Sequence, residues 1–398
     1  MKILFLTNRI PFPTNDGGSK AMQNMMLGLK KAGAQISLFS INTNKHHKTL
    51  FDLSVEFKSL FDRFYAVDLD TRVNVKDAFL NLFTKKSYNV DRFEDKTIKI
   101  ELTRFVKTLD VDIVQFEGVY ISMYYDIIRK ELPKAKLVLR THNIEFEIWE
   151  RLASNAKFLK KKYLQLLASR LKEYELSIYS RFDLLLAISD RDKNKLRDLC
   201  AVPCRVSTVG LEIENISEAK DVKNNLFFIG SLDWRPNKEG LLWFIKEIWP
   251  TIHKKFPQFT FSIAGRNTPK SIKKWNGKSN IFIHGEVDSP KEFIQEHGLM
   301  VVPILSGSGT RVKIIEAMML EKCVLSTSVG VEGLPLQNEK HYFLTNTLED
   351  FIDVITQLSS NDKKREMVEV EAKKIIRNSF DLEQNSTDLY KYYTEFID

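Results

Sequence analysis

The feature that most constrains the fold is a repeated alternation of short apolar strands with amphipathic helices. Ile3–Leu6 is a strand-like run, and apolar side chains then recur at helical spacing through residues 22–29 before Gly33. Strands that alternate with helices form a parallel sheet covered on both faces, which predicts an α/β fold. The same order continues through the first half of the chain, with strand-like runs at Ile36–Ile41, Ile113–Phe116, Leu137–Leu139 and Leu184–Ile188.

The alternation restarts after a polar stretch at Glu212–Asn225, and a chain of 398 residues is too long for one typical core. We therefore predict two Rossmann-like doubly wound domains facing across a cleft, residues 1–210 and 211–380, with a charged helix at about 381–398 that is a candidate to pack back on the first domain. Ligands of such sheets bind at the carboxyl ends of the strands, so a site in the cleft is expected. The strand-like runs of the second half are Leu226–Ile229, Phe259–Ile263, Ile281–Ile283, Met300–Val302 and Val324–Ser326.

The composition is that of a globular protein with a surplus of basic residues. The 60 Lys and Arg residues against 52 Asp and Glu give a formal net charge of +8, which suits an anionic partner such as a nucleotide sugar or an acidic membrane surface. Cys200, Cys204 and Cys323 have mostly apolar neighbours, so reduced thiols in a reducing compartment are expected. The first apolar run is too short for a signal peptide, and no run reaches the roughly 18–20 residues of a membrane span. We therefore expect a cytoplasmic protein, free or bound to the inner face of the membrane.

The most informative segment is residues 303–318, which read PILSGSGTRVKIIEAM. A Gly/Ser-rich turn leads from a strand into a helix, and free backbone N–H groups at such a helix start bind anions. Arg311 and Lys313 stand in the first turn, where the helix dipole disfavours cations, so their presence there predicts a bound anion. Glu316 follows in the helix, where its carboxylate could accept hydrogen bonds from ribose hydroxyls. The alternative is a helix start with solvated charges and a surface Glu.

This segment resembles the donor-binding signature of retaining glycosyltransferase family 4, whose fold is called GT-B. It is most similar to a bacterial surface-polysaccharide branch that reads GSGTRxKxxEA and then GxEGL after a strand. Here the later stretch is VLSTSVGVEGL at residues 324–334. The resemblance covers nearly the whole chain and implies transfer of a sugar from a nucleotide-diphosphate donor with retention of configuration, without a metal or other cofactor. Ser308 departs from the pattern, because many relatives carry there a Glu that touches the donor sugar.

The resemblance also implies roles for residues of the second domain. Arg235 and Lys238 follow the turn at Gly230 and Ser231 and are candidates to neutralise the leaving diphosphate. An enzyme without a metal needs such cations, because negative charge builds up on the leaving group. The alternative for this turn is a capped helix start with solvated charges. The remaining donor-binding candidates are Ser308, Gly309, Thr310, Arg311 and Lys313 for the phosphates, Glu316 for the ribose, and Glu286 and Val287 beside the base.

In the first domain, the resemblance points to residues that follow two strands. Gly17 and Gly18 allow backbone to approach a ligand closely and are assigned to the donor, with Asp16 on the acceptor side. His142 follows the strand Leu137–Leu139 and resembles a family histidine that contacts the donor sugar near its reacting carbon. Glu145 is a second acceptor-side candidate, and the alternative is that it caps the next helix.

A basic stretch at Asn155–Lys172 interleaves lysines with leucines and could lie on an anionic membrane, which fits an acceptor carried on a polyprenyl lipid. The alternative is a solvated helix face. The predicted partners are thus a nucleotide-sugar donor and a carbohydrate or polyprenyl-linked glycan acceptor. Nucleic acid is not expected, because no stacking motif accompanies the positive charge.

Other functions have weaker support in the sequence. A dehydrogenase would need Gly-x-Gly-x-x-Gly after the first strand, which is absent. The triplets Asp68–Asp70, Asp110–Asp112 and Asp190–Asp192 could hold a metal in a different transferase fold, but two βα halves argue against that fold. A sugar-nucleotide epimerase or hydrolase of the same fold, and a degenerate scaffold or sensor, remain as alternatives.

Overall fold

The computed structural model describes residues 1–13, 17–44, 47–49, 53–154, 156–212, 224–307 and 309–397. The chain separates into two compact units. Unit 1 comprises Met1–Leu211 and Leu382–Asp398, and unit 2 comprises Glu212–Asp381. The divisions expected from the sequence were after residues 210 and 380.

Unit 1 is built on a seven-stranded sheet in the order β3-β2-β1-β4-β5-β6-β7. Every neighbouring pair is parallel. The order reverses beside the first strand, so loops after β1 and β4 leave the sheet in opposite directions and open a crevice there. The strands are β1 (Lys2–Thr7), β2 (Gln35–Thr43), β3 (Arg63–Leu69), β4 (Ile113–Glu117), β5 (Lys136–Thr141), β6 (Leu184–Ala187) and β7 (Cys204–Val206).

Helices cover both faces of this sheet, as parallel strands require. A 3₁₀ helix at Val119–Tyr124 follows β4 directly. The α-helices are α1 (Gly17–Lys31), α2 (Val55–Ser59), α3 (Val75–Asn81), α4 (Tyr88–Asp91), α5 (Lys96–Val106), α6 (Tyr125–Glu131), α7 (Glu145–Ser154), α8 (Phe158–Tyr179) and α9 (Asp190–Leu199).

Unit 2 repeats the arrangement with a six-stranded parallel sheet in the order β10-β9-β8-β11-β12-β13. Its strands are β8 (Asn225–Ile229), β9 (Thr260–Ala264), β10 (Ile281–Gly285), β11 (Leu299–Val302), β12 (Val324–Ser326) and β13 (Phe343–Leu344). Its helices are α10 (Arg235–Trp243), α11 (Trp249–Lys255), α12 (Lys270–Lys273), α13 (Pro290–Gln295), α14 (Val312–Met319), α15 (Leu348–Ser360) and α16 (Asp362–Phe380). The prediction of an α/β protein with two doubly wound sheets is confirmed.

The last helix, α17 (Leu382–Ile397), returns to unit 1 and packs along α1. A Cβ at Gly28 would lie 2.7 Å from Ser386 Cβ, so the two helices approach closely only because residue 28 is glycine. Leu389 and Tyr393 join the same buried cluster as the side chains of β1, such as Phe5. The final helix therefore completes the hydrophobic core of the first unit.

Strands in the middle of each sheet are mostly apolar because both of their faces are covered, although β4 also carries the buried polar residues Gln115 and Glu117. The side chains of β11 are all buried, and so are those of β4. The thiols of Cys200, Cys204 and Cys323 are free. Among the residues described, no helix combines the length and apolar character that crossing a membrane would demand.

Candidate functional site

The second sheet has its reversal point between β8 and β11, where doubly wound proteins bind ligands. The segment after β8 begins with Gly230, and the segment after β11 leads into α14. A Cβ at Gly230 would lie 3.2 Å from Lys313 Nζ and 3.1 Å from Asn237 Nδ2. The missing side chain at residue 230 therefore leaves room for two polar groups beside the end of β8.

Lys313 places its ammonium group in this space. Its Nζ donates a hydrogen bond of 2.9 Å to Asn237 Oδ1 and lies 3.9 Å from the centroid of the Phe228 ring. Burial and, to a lesser degree, the charge of Arg311 hold the pKa of Lys313 well below its usual range. The hydrogen-bond partner is a neutral amide, so an incoming anion would stabilise the charged form of this lysine.

Arg311 is the second cation of the site and is only 5% exposed. Its NH1 group donates a 2.6 Å hydrogen bond to the carbonyl of Gly309, and its guanidinium lies 5.4 Å from the Trp234 ring centroid. A Cβ at Gly307 would be 3.4 Å from Arg311 NH2. The glycine-rich turn thus folds around the arginine and brings it to the start of α14.

Asn237 links the segment after β8 to Lys313 through hydrogen bonds, and the sequence did not predict this role. Its Nδ2 donates to the Ser231 carbonyl at 2.8 Å, while its Oδ1 accepts from Lys313. Asn237 is almost fully buried although it lies in the exposed start of α10. An asparagine directly after a helix-starting proline is an ordinary surface residue in sequence, and only its burial marks it as part of the site.

Helix α10 is held against the segment after β11 by a glycine. A Cβ at Gly240 would lie 1.9 Å from the Pro303 carbonyl oxygen, and a backbone atom cannot move aside as a flexible side chain can. Gly240→Ala is therefore expected to lower the free energy of unfolding by about 1–3 kcal/mol through overpacking. Urea unfolding measures this, with Glu239→Ala on the exposed face of the same helix as control. A Gly240→Ala protein as stable as wild type would show that α10 does not need this approach.

The other predicted residues of unit 2 also follow the carboxyl ends of strands in this sheet. Arg235 forms an exposed ion pair of 2.6 Å with Glu239 one helical turn along α10. Lys238 is partly buried on the same helix. Glu286 and Val287 follow the edge strand β10, which is two strands, or roughly 10 Å, from β8. Six predicted residues thus lie around the end of β8, namely Gly230, Ser231, Gly309, Thr310, Arg311 and Lys313. Glu316 lies one turn along α14. Ser308 lies outside the described residues.

Unit 1 carries a buried polar cluster at its own reversal point. Glu117 ends β4 opposite Arg140 on β5, and both side chains are buried. The Glu117 carboxylate lies 3.4 Å from Arg140 NH1 and 2.7 Å from Nε2 of His142. Burial raises the pKa of Glu117, but the charge of Arg140 and the bonds from His142 and Gln115 outweigh it, so the pKa is lowered.

The same cluster sets the protonation of His142. Burial lowers the pKa of His142, and the charges of Arg140 and Arg9 add to this, against the opposing effect of Glu117. A neutral imidazole beside an ionised carboxylate must donate its Nε2 hydrogen, because the carboxylate only accepts. Nδ1 is then left as an acceptor. The sequence predicted His142 but missed Glu117, although a charged residue at the end of an apolar strand was a usable signal.

The cluster reaches the C-terminal helix through Gln115. Gln115 Nε2 donates to Glu117 at 2.5 Å, and Gln115 Oε1 accepts from the hydroxyl of Tyr393 at 2.6 Å. Both side chains are fully buried. Helix α17 therefore supports the geometry of the His142 cluster as well as the core.

Glu145 lies at the start of α7, as the sequence suggested. Its carboxylate accepts from the hydroxyl of Tyr120 at 2.9 Å and from Asn143 at 3.2 Å, and burial raises its pKa. The backbone N–H of Phe146, the next residue of α7, donates a hydrogen bond to the buried carboxylate of Glu175. Burial raises the pKa of Glu175 to about 8. The helix start is thus satisfied by a carboxylate from α8, which the sequence did not reveal.

The remaining predicted positions of unit 1 are the glycines after β1. Gly17 and Gly18 form the first turn of α1, and Asp16 lies outside the described residues. Across the described ranges, no group of three or more His, Cys, Asp or Glu side chains is placed to hold a metal ion. In the Asp-x-Asp triplets, Asp70 pairs with Arg72 and Asp110 with Lys2.

Comparisons with known proteins agree with this architecture. Residues 223–361 match the sequence model of the family described as Glycosyl transferases group 1. A Klebsiella pneumoniae protein described as an uncharacterized 44.6 kDa protein in the cps region is 23% identical over 409 residues, which is 98% of this chain and 99% of that protein.

Two solved structures share the fold over the full length. The crystal structure of Anabaena Alr3699/HepE in complex with UDP and glucose is 13% identical, with a TM-score of 0.67 over 99% of this chain and 100% of that one. Sucrose-phosphate synthase from Thermosynechococcus elongatus is 12% identical, with a TM-score of 0.72 over 99% of both chains. The fold is that of the GT-B glycosyltransferases, and the residues that match the family model lie within unit 2.

Proposed function

We propose that this glycosyltransferase moves a sugar from a nucleotide-diphosphate donor to a carbohydrate or polyprenyl-linked glycan acceptor, with retention of configuration, in the synthesis of a bacterial surface polysaccharide. The observation that carries the proposal is the pair of cations, Arg311 and Lys313, gathered at the reversal point of the unit 2 sheet. The UDP in the Anabaena structure and the cps-region origin of the Klebsiella relative support the donor class and the pathway.

Sugar transfer from a nucleotide diphosphate requires positive charge near the leaving group. The bond between the anomeric carbon and the diphosphate oxygen breaks, and its electron pair leaves with the diphosphate. An acceptor hydroxyl bonds to that carbon, and its proton passes to an oxygen of the departing diphosphate. Lys313 and Arg311 would stabilise the charge that grows on the diphosphate, as fixed cations in a dry site do. They supply the role that a metal fills elsewhere, and we propose that none is needed here.

We propose roles for several further residues. Glu316, one turn into α14, would accept hydrogen bonds from the ribose, and Glu286 and Val287 would lie beside the base. His142 offers an acceptor at Nδ1 and would bind a sugar hydroxyl, with Glu117 holding its ring in place. Arg235, which is paired with Glu239, would act on the diphosphate only after that ion pair opens.

The donor site is tested by thermal unfolding of the full chain with UDP-, GDP-, ADP- and dTDP-sugars, each with and without EDTA. A ligand that binds the native state raises the melting temperature. We expect one nucleotide class to stabilise the protein, EDTA to have no effect, and Arg311→Ala or Glu316→Ala to abolish the stabilisation.

Three results would count against the proposal. Stabilisation that needs a metal, or that survives both substitutions, would place the donor elsewhere. Stabilisation by no nucleotide would favour a scaffold. Release of free or epimerised sugar from the stabilising donor, with no product on any glycan, would favour a hydrolase or epimerase.

A further inference from the structure

Helix α3 and the turn after it present apolar side chains to solvent. Phe79 is 59% exposed, Leu80 is 62% exposed and Phe83 is 78% exposed, and Val73 and Leu82 beside them are also exposed. We call these five residues the α3 patch. A contiguous group of large apolar side chains in water is costly, and on a folded protein it marks a surface that something covers.

The patch is held in place by polar contacts at both ends of the helix. At its start, the Tyr88 hydroxyl bonds to both the N–H and the carbonyl of Asn74, at 3.0 and 3.1 Å. At its end, the guanidinium of Arg170 donates to the carbonyls of Asn81 and Leu82, at 2.8 and 3.0 Å. The apolar side chains are therefore displayed by an anchored helix, and their exposure does not come from a frayed end.

Helix α8, which carries Arg170, exposes a second apolar pair at its beginning. Phe158 is 88% exposed and Leu159 is 82% exposed, whereas Leu167 and Leu171 farther along are buried in the core of unit 1. The basic face expected at Asn155–Lys172 is thus reduced to its first turns, because the later leucines pack on the protein itself. Phe158 lies 12 residues before Arg170, about 18 Å along the helix axis.

Exposed lysines lie close in sequence to both apolar groups. Lys76, Lys85 and Lys86 flank the α3 patch, and all three are exposed. The segment 157–162 reads KFLKKK, and each of its residues is exposed. An interfacial protein presents large apolar side chains and neighbouring lysines to a bilayer. The apolar side chains enter the acyl boundary, and the lysines contact anionic headgroups.

We propose that the α3 patch and the first turn of α8 dock unit 1 on an anionic lipid bilayer. The apolar side chains supply the insertion, and the lysines select for negatively charged lipid. The proposal rests on the proposed function in one respect, because a polyprenyl-linked acceptor would be met at such a surface. The docking itself needs neither donor nor acceptor and can be measured without them.

The test is sedimentation of the full-length protein with vesicles of phosphatidylcholine alone or mixed with phosphatidylglycerol. We expect binding to the mixed vesicles only, weakened by added salt. Phe79→Ser with Phe83→Ser should reduce it by at least about tenfold, and Lys160→Glu with Lys161→Glu by a similar factor. The matched control is Met367→Ser with Val370→Ser, which changes two exposed apolar residues of α16 in unit 2 and should bind as wild type does.

Several outcomes would overturn the proposal. These are no binding to either vesicle, equal binding to both, or equal loss in the control variant. A concentration-dependent dimer in sedimentation equilibrium that Phe79→Ser with Phe83→Ser abolishes would assign the patch to a second copy of the chain. Nucleotide-induced thermal shifts of all variants separate the two proposals, since they should be unchanged even where lipid binding is lost.

Discussion

Replacing Lys313 by Met should lower kcat/KM for sugar transfer by about 10²–10³-fold, the usual cost of removing one fixed group that stabilises charge in a transition state. Methionine fills a similar volume beside the Phe228 ring but leaves Asn237 Oδ1 without its donor. The loss should therefore be mainly in kcat, because the missing charge matters most when the diphosphate departs. Steady-state kinetics with the donor identified by thermal unfolding measures it.

The control for this variant is Lys373→Met. It removes a lysine of α16 that pairs with Glu321, away from the edge where we propose that the donor binds. It should leave kcat/KM unchanged. If the Lys313→Met enzyme keeps its activity, or loses no more than the Lys373→Met enzyme, the ammonium at the end of β8 has no part in the chemistry.

The lowered pKa of Lys313 adds a signature in binding. A diphosphate beside the ammonium favours the charged form, so nucleotide binding should raise the lowered pKa of Lys313 and favour uptake of a proton. Affinity should then fall as pH rises. In calorimetry, the binding enthalpy of wild type should depend on the ionisation enthalpy of the buffer, and that dependence should shrink in Lys313→Met.

Replacing Glu117 by Gln should lower the free energy of unfolding at neutral pH by about 3–5 kcal/mol, because removing one partner of a buried ion pair leaves the other charge uncompensated. Arg140 is that charge, and its side chain is fully buried. The pKa of His142 should fall further once the carboxylate no longer favours its protonated form. The acidic limb of the pH–rate profile, where neutral His142 is required, should therefore move to lower pH.

The contribution of the Glu117 carboxylate to the free energy of unfolding depends on pH. The pKa of Glu117 is lowered from its ordinary value of 4.5, so its contribution is present above that value and is lost as pH falls through the folded-state pKa. The stability difference between wild type and Glu117→Gln should accordingly narrow in acid. Urea unfolding at several pH values measures this difference.

A surface glutamate on the same unit is the matched control. Glu101 bonds to Tyr65 and Arg104 near the surface, and Glu101→Gln should cost no more than about 1 kcal/mol. A Glu117→Gln protein that is as stable as Glu101→Gln, with an unchanged pH–rate profile, would show that Glu117 neither balances Arg140 nor positions His142.

Much of the fold could be predicted because its signals are local. Buried strands such as β1 and β11 appear in the sequence as short apolar runs followed by apolar residues at helical spacing. This pattern can be recognised without knowing which elements pack around the strand. Strand β3 was missed because it lies at the edge of the sheet and is only partly buried, so its sequence mixes charged and aromatic residues. Strand β7 was missed because its three residues are only partly buried and include Arg205, and β13 has only two residues.

The sequence by itself determined the two alternating halves, the glycine-rich turn before α14 and the cations in its first turn. Only the tertiary structure decided which groups meet: Lys313 reaches Gly230 and Asn237 across the reversal point, and Glu117 lies opposite Arg140 on the neighbouring strand. Periodicity and capping act over a few residues and can be read along the chain. Contacts between residues 23 or 76 positions apart follow from strand order and register, which depend on how whole elements pack.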